Sequence, residues 1–142
     1  MSRGLAFIYR LTAGALLGGQ LFFAFVVAPA AFTLPERRLA ADLVGLQLAA
    51  LDRLALGLTA VAVLAAVLRG ANVARRALPP LLAGLCAAAS MLLVTPWVRE
   101  LREAGQTGTP IFARLHAAST LLLAVEMVLL GAALWFARDD AA

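Results

Sequence analysis

The segment RLHAASTLLLAVEM, residues 114–127, places His116, Ser119 and Glu126 on a largely apolar helix. His116, Ser119 and Glu126 fall on one stripe with Leu123 and Leu130, because residues three and four positions apart share a helix face. An ionised carboxylate at the centre of a bilayer costs roughly 2.5–3.5 kcal/mol on insertion scales. We therefore expect Glu126 to face protein or water, with its carboxyl protonated or hydrogen-bonded at neutral pH.

The helical rise of about 1.5 Å per residue allows the depths of other polar residues to be compared with that of Glu126. Residues near the middle of their segments could meet it in a central intramembrane site: Gln20, Ser90 and Ser119, with Thr59 and Cys86 at similar depth. Residues nearer one surface could form a mouth to that site: His116, Thr95, Arg99 and Asp52, with Gln47 beside Asp52. For the hydroxyl residues, hydrogen bonding between helices is the competing interpretation.

Metal binding is an alternative use of some of these side chains. Cys86 and His116 are ligand types that suit soft ions such as Cu(I), and Met91 and Met127 are further candidates. None of them has a recognised chelating spacing. No cofactor can be named, and we expect no enzyme, because the sequence contains no catalytic-triad order, HExxH motif, phosphate loop or CxxCH motif.

The elements that must position these residues are membrane helices. The chain has 142 residues, of which 63% are hydrophobic and 14% charged, and its mean hydropathy is +0.94. These values lie outside the range of soluble domains. All twelve basic residues are Arg, and they occur at segment ends instead of forming a polar face, so the net charge of +4 does not indicate nucleic-acid binding.

A spanning helix needs about 20 mostly apolar residues. The sequence predicts four such helices, at approximately 7–32, 43–69, 78–103 and 111–137, within one membrane domain over 1–142. Nothing has the alternating pattern of a barrel, so the predicted fold is an all-α, four-helix transmembrane bundle. No internal repeat is evident.

Loop charge predicts the orientation. The connection between the second and third helices carries Arg69, Arg75 and Arg76 without an acid, and the N-terminus is also basic, so we expect both in the cytoplasm together with the C-terminus. Gly14 and Gly18 form a GxxxG motif in the first helix, which permits close helix approach. This motif predicts a homo-oligomer, and packing inside the bundle is the alternative.

Three stretches carry a family resemblance: GGQLFFAFVVAPAAFTLP, TPWVRELREAG and FARLHAAST. They resemble the transmembrane protein 205-like family, whose bacterial members carry a domain of unknown function numbered 4149. The resemblance implies a four-span protein of the bacterial inner (cell) membrane. The chain departs from the family pattern at Leu123, where the family usually has Asn, and near Leu48, where an aromatic residue is usual. A looser similarity to copper-resistance membrane domains keeps the metal alternative open.

Three functions are compatible with these observations. The first is a membrane protein that handles a small polar solute, an ion or a proton through its inward polar face. The second is a structural or accessory subunit that acts through contacts with partner helices. The third is copper-type metal binding or tolerance. The lipid bilayer is the expected environment in each case, and nucleic acid is not an expected partner.

Overall fold

The computed structural model describes residues 2–70 and 72–138, which form four long helices and contain no β-strand. Helix α1 consists of Ser2–Phe22, a π-helical turn at Phe23–Val27, and Ala28–Ala31. Helix α2 is Arg37–Arg69. Helix α3 consists of Val73–Ala89, a π-helical turn at Ser90–Val94, and Thr95–Glu103. Helix α4 is Pro110–Phe136.

Local sequence explains where these helices begin and end. The Thr109 side chain accepts a hydrogen bond from the Phe112 backbone N–H and caps α4, and Pro110 fits the first turn because no helical partner is lost there. Gly70 ends α2 in a left-handed conformation with φ of 73°, which favours a residue without a β-carbon. Helix α2 starts directly after Pro35 and Glu36, six residues before the predicted start at 43.

Two π-helical turns interrupt α1 and α3, each ending two residues before a proline. Pro29 and Pro96 have no backbone N–H, and the ring of each would clash with the carbonyl four residues earlier in a regular α-helix. A widened turn before each proline accommodates the ring. Turns of this kind occur frequently at functional sites.

The four helices pack in a ring, in which α1 contacts α2, α2 contacts α3, α3 contacts α4, and α4 returns to α1. The core between them is dominated by small residues, so the helices approach closely. Its fully buried members include Ala13, Ala55, Ala66, Ala83, Ala87 and Ala133, with Tyr9 and Leu130. Both described ends of the chain and the α2–α3 link lie at one end of the bundle, here called the terminal end. The α1–α2 and α3–α4 connections lie at the opposite end.

The outer surface is apolar along all four helices. Large hydrophobic side chains are exposed on each of them, for example Phe25, Leu64, Leu92 and Val128. By length and composition all four helices can cross a membrane. The protein is therefore a multi-pass, all-α membrane protein, and the predicted four-helix bundle is confirmed.

Candidate functional site

The side chains of Gln20 and Glu126 meet in the core of the bundle. Gln20 on α1 donates a hydrogen bond from Nε2 to Oε2 of Glu126 on α4, with the two atoms 2.6 Å apart. Each residue is only 1% exposed. The remaining oxygen of each, Gln20 Oε1 and Glu126 Oε1, is also buried and has no hydrogen-bond partner. Counting residues from the helix ends predicted that these two groups lie at similar depth.

A second polar pair joins α2 to α3. Ser90 donates its hydroxyl to Oδ2 of Asp52 over 2.9 Å, and both residues are 2% exposed. Asp52 was expected at the mouth, but it lies near the middle of α2 because this helix begins at Arg37 and not at 43. The extra residues place Asp52 about four turns into the helix. Ser90 is also the first residue of the π-helical turn in α3.

The two carboxyl groups lie at different depths. The Tyr9 hydroxyl contacts the carbonyls of both Arg76 on α3 and Ala133 on α4, so these two positions mark one level. From that level, Ser90 lies about 21 Å along α3 and Glu126 about 10 Å along α4, at 1.5 Å per residue. Asp52 is thus roughly 10 Å farther than Glu126 from the terminal end of the bundle.

The surroundings of the carboxyl groups are neutral. In the part of the chain that the structure describes, neither Asp52 nor Glu126 forms a salt bridge, and their hydrogen-bond partners are an uncharged hydroxyl and an uncharged amide. The two groups do interact electrostatically with each other, and Glu126 also acts on the Cys86 thiol of α3. The polar site is therefore acidic and has no compensating cation among the described residues.

Two hydroxyl residues complete the buried polar set on α2 and α4. Thr59 donates to the carbonyl of Ala55 on its own helix over 2.5 Å, and it packs against Gly84 of α3. Ser119 is 8% exposed and lies two turns before Glu126 on α4. The hydroxyl of Thr59 thus bonds within its own helix while its side chain packs against α3.

The other residues expected at the mouth do not gather around the carboxyl groups. His116 is exposed and stacks on Phe112 of its own helix, with the rings nearly parallel and their centroids 6.3 Å apart. Arg99 is exposed and pairs with Glu103 over 3.8 Å, and Thr95 is half-buried. The buried stripe of α4 starts at Ser119, because helical phase alone does not determine whether a neighbouring helix covers the preceding turns.

Arg102 forms a contact that the spacing of polar residues did not reveal. Its guanidinium donates to the Ala41 carbonyl over 3.0 Å and lies 3.6 Å from the Asp42 carboxylate. It also covers Gly45, where a β-carbon would come within 2.8 Å of Arg102 Nη1. The end of α3 is thereby attached to the first turns of α2, and the absence of a side chain at Gly45 makes room for the arginine.

The glycines of the GxxxG motif have open space beside them, and the metal candidates do not form a cluster among the described residues. Apart from its chain neighbours and the nearby backbone of its own helix, no atom lies within 4 Å of a β-carbon built on Gly14 or on Gly18, so neither glycine is needed for packing inside the bundle. Cys86 is half-buried near Glu126, whereas His116 is exposed. Among the described residues, no group of three His, Cys, Asp or Glu side chains could hold a metal ion.

Two apolar grooves open on the outside of the bundle, each between α1 and α2. One, of about 300 Å³, lies beside Gly19, Phe23 and Gln47, and the other, of about 450 Å³, lies beside Gly4, Ile8 and Leu68. Neither groove is lined by Gln20, Asp52, Ser90 or Glu126. In the described conformation these grooves do not reach the carboxyl groups.

Comparison with known proteins supports one part of the family resemblance. No curated protein and no solved structure matches the chain. A family model described as a domain of unknown function, DUF4149, matches residues 11–107, which include Gln20, Asp52 and Ser90 but not Glu126. The wider link to transmembrane protein 205-like proteins stays a prediction. Because the match spans more than half of its length, the chain belongs to the DUF4149 family of membrane proteins.

Proposed function

We propose that this membrane protein binds and releases a proton or a small cation at its buried carboxyl groups, Asp52 and Glu126. The observation that carries the proposal is the burial of both groups in the middle of apolar helices, with neutral hydrogen-bond partners only. Ionisable residues inside membrane segments are rare because of their insertion cost, and they commonly mark ion pathways and proton relays.

A purely structural role explains the carboxyl groups less well. Amide and hydroxyl groups can hydrogen-bond across helices without the cost of a buried charge. An Asn at position 52 or a Gln at position 126 would offer both a donor and an acceptor. The use of acids at both positions instead favours a function that needs the gain and loss of a positive charge.

Because the two carboxyl groups lie at different depths, a proton or cation could pass from one to the other in steps. Asp52 lies farther from the terminal end of the bundle, and Glu126 lies roughly 10 Å nearer to it by backbone position. Exchange with the opposite surface would require Ser90 to separate from Asp52. The π-helical turn that begins at Ser90 supplies a backbone segment in which such a change can occur, because its hydrogen-bond pattern is already irregular.

Ion flux into liposomes tests the proposal. The purified protein is reconstituted into liposomes that contain a pH-sensitive dye or a Na⁺- or K⁺-sensitive dye, and a gradient of each ion is imposed in turn. We expect flux of one of these ions with the native chain, and a loss of at least ten-fold in Asp52→Asn and in Glu126→Gln. Both substitutions preserve side-chain shape, so folding can be verified by size-exclusion chromatography and circular dichroism.

Glu100→Gln is the matched control, because Glu100 is an exposed acid outside the buried site. It should conduct like the native chain. Native-level flux in folded Asp52→Asn and Glu126→Gln proteins would contradict the proposal. So would a native protein that passes none of the three ions above the rate of empty liposomes.

An accessory role is the second candidate. The observation in its favour is the open space beside Gly14 and Gly18, which leaves the GxxxG face of α1 free to receive another helix. We propose that a second copy of this chain packs there, which gives a homo-oligomer.

We also propose that the terminal end of the bundle faces the cytoplasm of a bacterial cell, because the α2–α3 link and the N-terminus are rich in Arg.

A further inference from the structure

The hydrogen bonding between Gln20 and Glu126 is incomplete in a specific way. The amide N–H donates to one carboxyl oxygen, while the amide oxygen and the second carboxyl oxygen are both buried without a partner. If Glu126 is ionised, both of these leftover atoms are acceptors. No amount of side-chain rotation within the pair can satisfy two acceptors with each other.

One added proton removes this conflict. A protonated carboxyl group has one O–H donor, and the amide oxygen of Gln20 is an acceptor. A carboxylic acid and a primary amide can therefore form two hydrogen bonds at once, one in each direction. Each buried polar atom that is left unpaired loses its hydrogen bonds to water without replacement, so the doubly bonded form is favoured over the singly bonded one.

A metal cation fits this pair less well than a proton. Hard cations such as Ca²⁺ and Mg²⁺ take about six or more oxygen ligands. The pair offers two unpartnered oxygens, and the other buried carboxyl group, that of Asp52, lies at a different depth and is bonded to Ser90. The titratable groups that face Glu126 are Asp52 from α2 and Cys86 from α3, and α1 contributes the neutral amide of Gln20.

We propose that Glu126 and Gln20 together hold one proton as an acid–amide pair with two hydrogen bonds. This inference rests on the proposed function and names the proton as the species bound at Glu126. On release, the O–H bond of Glu126 breaks and the proton passes to water, which leaves the carboxylate bonded to the Gln20 N–H. Gln20 is a positioning residue that donates a hydrogen bond to Glu126 in both states and accepts a second one only when Glu126 is protonated.

Infrared spectroscopy of the reconstituted protein tests this assignment, because the C=O stretch of a protonated carboxyl group is separate from the bands of carboxylates. At neutral pH we expect a protonated-carboxyl band that is lost in Glu126→Gln and retained in the control Glu100→Gln. In Gln20→Leu the band should move to higher frequency, since the acid loses its amide partner. Asp52→Asn should retain the band of Glu126.

Three outcomes would overturn the acid–amide pair: no such band at neutral pH, a band that survives Glu126→Gln in an Asp52→Asn background, or a band that disappears on addition of Na⁺ or K⁺. These outcomes are distinct from failure of the proposed function. Lost flux in Glu126→Gln together with an absent band would retain ion handling and reject the bound proton. A Glu126 band together with native flux in Glu126→Gln would retain the protonated pair and reject its role in ion movement.

Discussion

Tyr9 donates its hydroxyl to the backbone carbonyl of Arg76 over 2.8 Å, and this is the carbonyl that Pro80 leaves without its helical donor. In a regular α-helix the N–H of residue 80 would bond to the carbonyl of residue 76, but proline has no N–H. Tyr9 is fully buried at the terminal end of the bundle. A side chain of α1 thus repairs the backbone of α3, and the two helices are held together at that level.

Replacement of Tyr9 by Phe should remove the hydrogen bond that the hydroxyl donates to the half-buried Arg76 carbonyl. We expect Tyr9→Phe to lower the free energy of unfolding by about 1–3 kcal/mol. In a Pro80→Ala background the same change should cost at most about 0.5 kcal/mol, because the substituted alanine supplies an N–H to the carbonyl. Denaturant titration in detergent, followed by circular dichroism, measures the cost of Tyr9→Phe in each of the two backgrounds. Equal costs in the two backgrounds would show that Tyr9 does not replace the missing helical bond.

Gly84 and Thr59 set the spacing between α3 and α2. A β-carbon built on Gly84 would lie 2.6 Å from Thr59 Oγ1 and 3.4 Å from Thr59 Cβ. We expect Gly84→Ala to lower the free energy of unfolding by about 1–3 kcal/mol, since Thr59 or the helices must move. Gly57→Ala is the matched control, because nothing lies within 4 Å of a β-carbon there. It should be neutral or stabilise by up to about 1 kcal/mol. A neutral Gly84→Ala would contradict the close contact.

The orientation of the four helices can be read by cysteine labelling. The chain has one native cysteine, so Cys86→Ala provides a background without thiols. In intact cells, a membrane-impermeant maleimide should label Gln106→Cys and should label Ala74→Cys only after the cells are permeabilised. The reverse pattern would overturn the proposed orientation. Labelling of both positions from outside would be incompatible with four spans.

Self-association through α1 predicts a change in mass. The double substitution Gly14→Ile and Gly18→Ile should reduce the mass of the protein in detergent from that of an oligomer to that of a monomer, because bulky side chains prevent close helix approach. Light scattering coupled to size-exclusion chromatography measures this mass. Gly57→Ile, at another open position, should leave it unchanged. A monomeric native protein, or an oligomer that tolerates the double substitution, would rule out the GxxxG interface.

Hydropathy and the counting of residues from helix ends were sufficient to predict the four helices and part of the polar site. Four apolar segments were enough to predict four helices, because backbone groups in lipid must be satisfied within each helix. Counting residues from the helix ends also predicted that Gln20 and Glu126 lie at similar depths. The depth of Asp52 was misjudged, because the predicted start at 43 left residues 37–42 outside the helix, although no helix breaker follows Pro35.

Contacts that depend on a neighbouring helix were harder to predict. The buried stripe of α4 was extended to His116, but burial needs a covering neighbour as well as the correct helical phase. The placement of Arg102 on Gly45 depends on how the end of α3 approaches α2, which no local pattern specifies. Tyr9 did have a signal in the sequence, since Pro79 and Pro80 inside a helix imply carbonyls that need another donor.

The two π-helical turns lie at corresponding positions in the two halves of the chain. Pro29 and Pro96 are 67 residues apart, and the same interval separates Arg69 and Phe136, the last residues of α2 and α4. Buried positions repeat at this interval along α1 and α3: Thr12 with Pro79, Ala13 with Pro80, Leu16 with Ala83, Gln20 with Ala87, and Phe23 with Ser90. Buried positions in the first hairpin, α1 and α2, thus correspond to positions 67 residues later in the second hairpin, α3 and α4.

The acids depart from this correspondence. The interval of 67 residues matches Asp52 with Ser119 and Thr59 with Glu126, so each hairpin carries one acid and one hydroxyl in opposite order. If the order were the same, two carboxyl groups would face each other in a single layer, where like charges repel. The exchanged order puts one acid in each layer. The two ends of the bundle are therefore chemically different, although the buried positions of the two hairpins correspond.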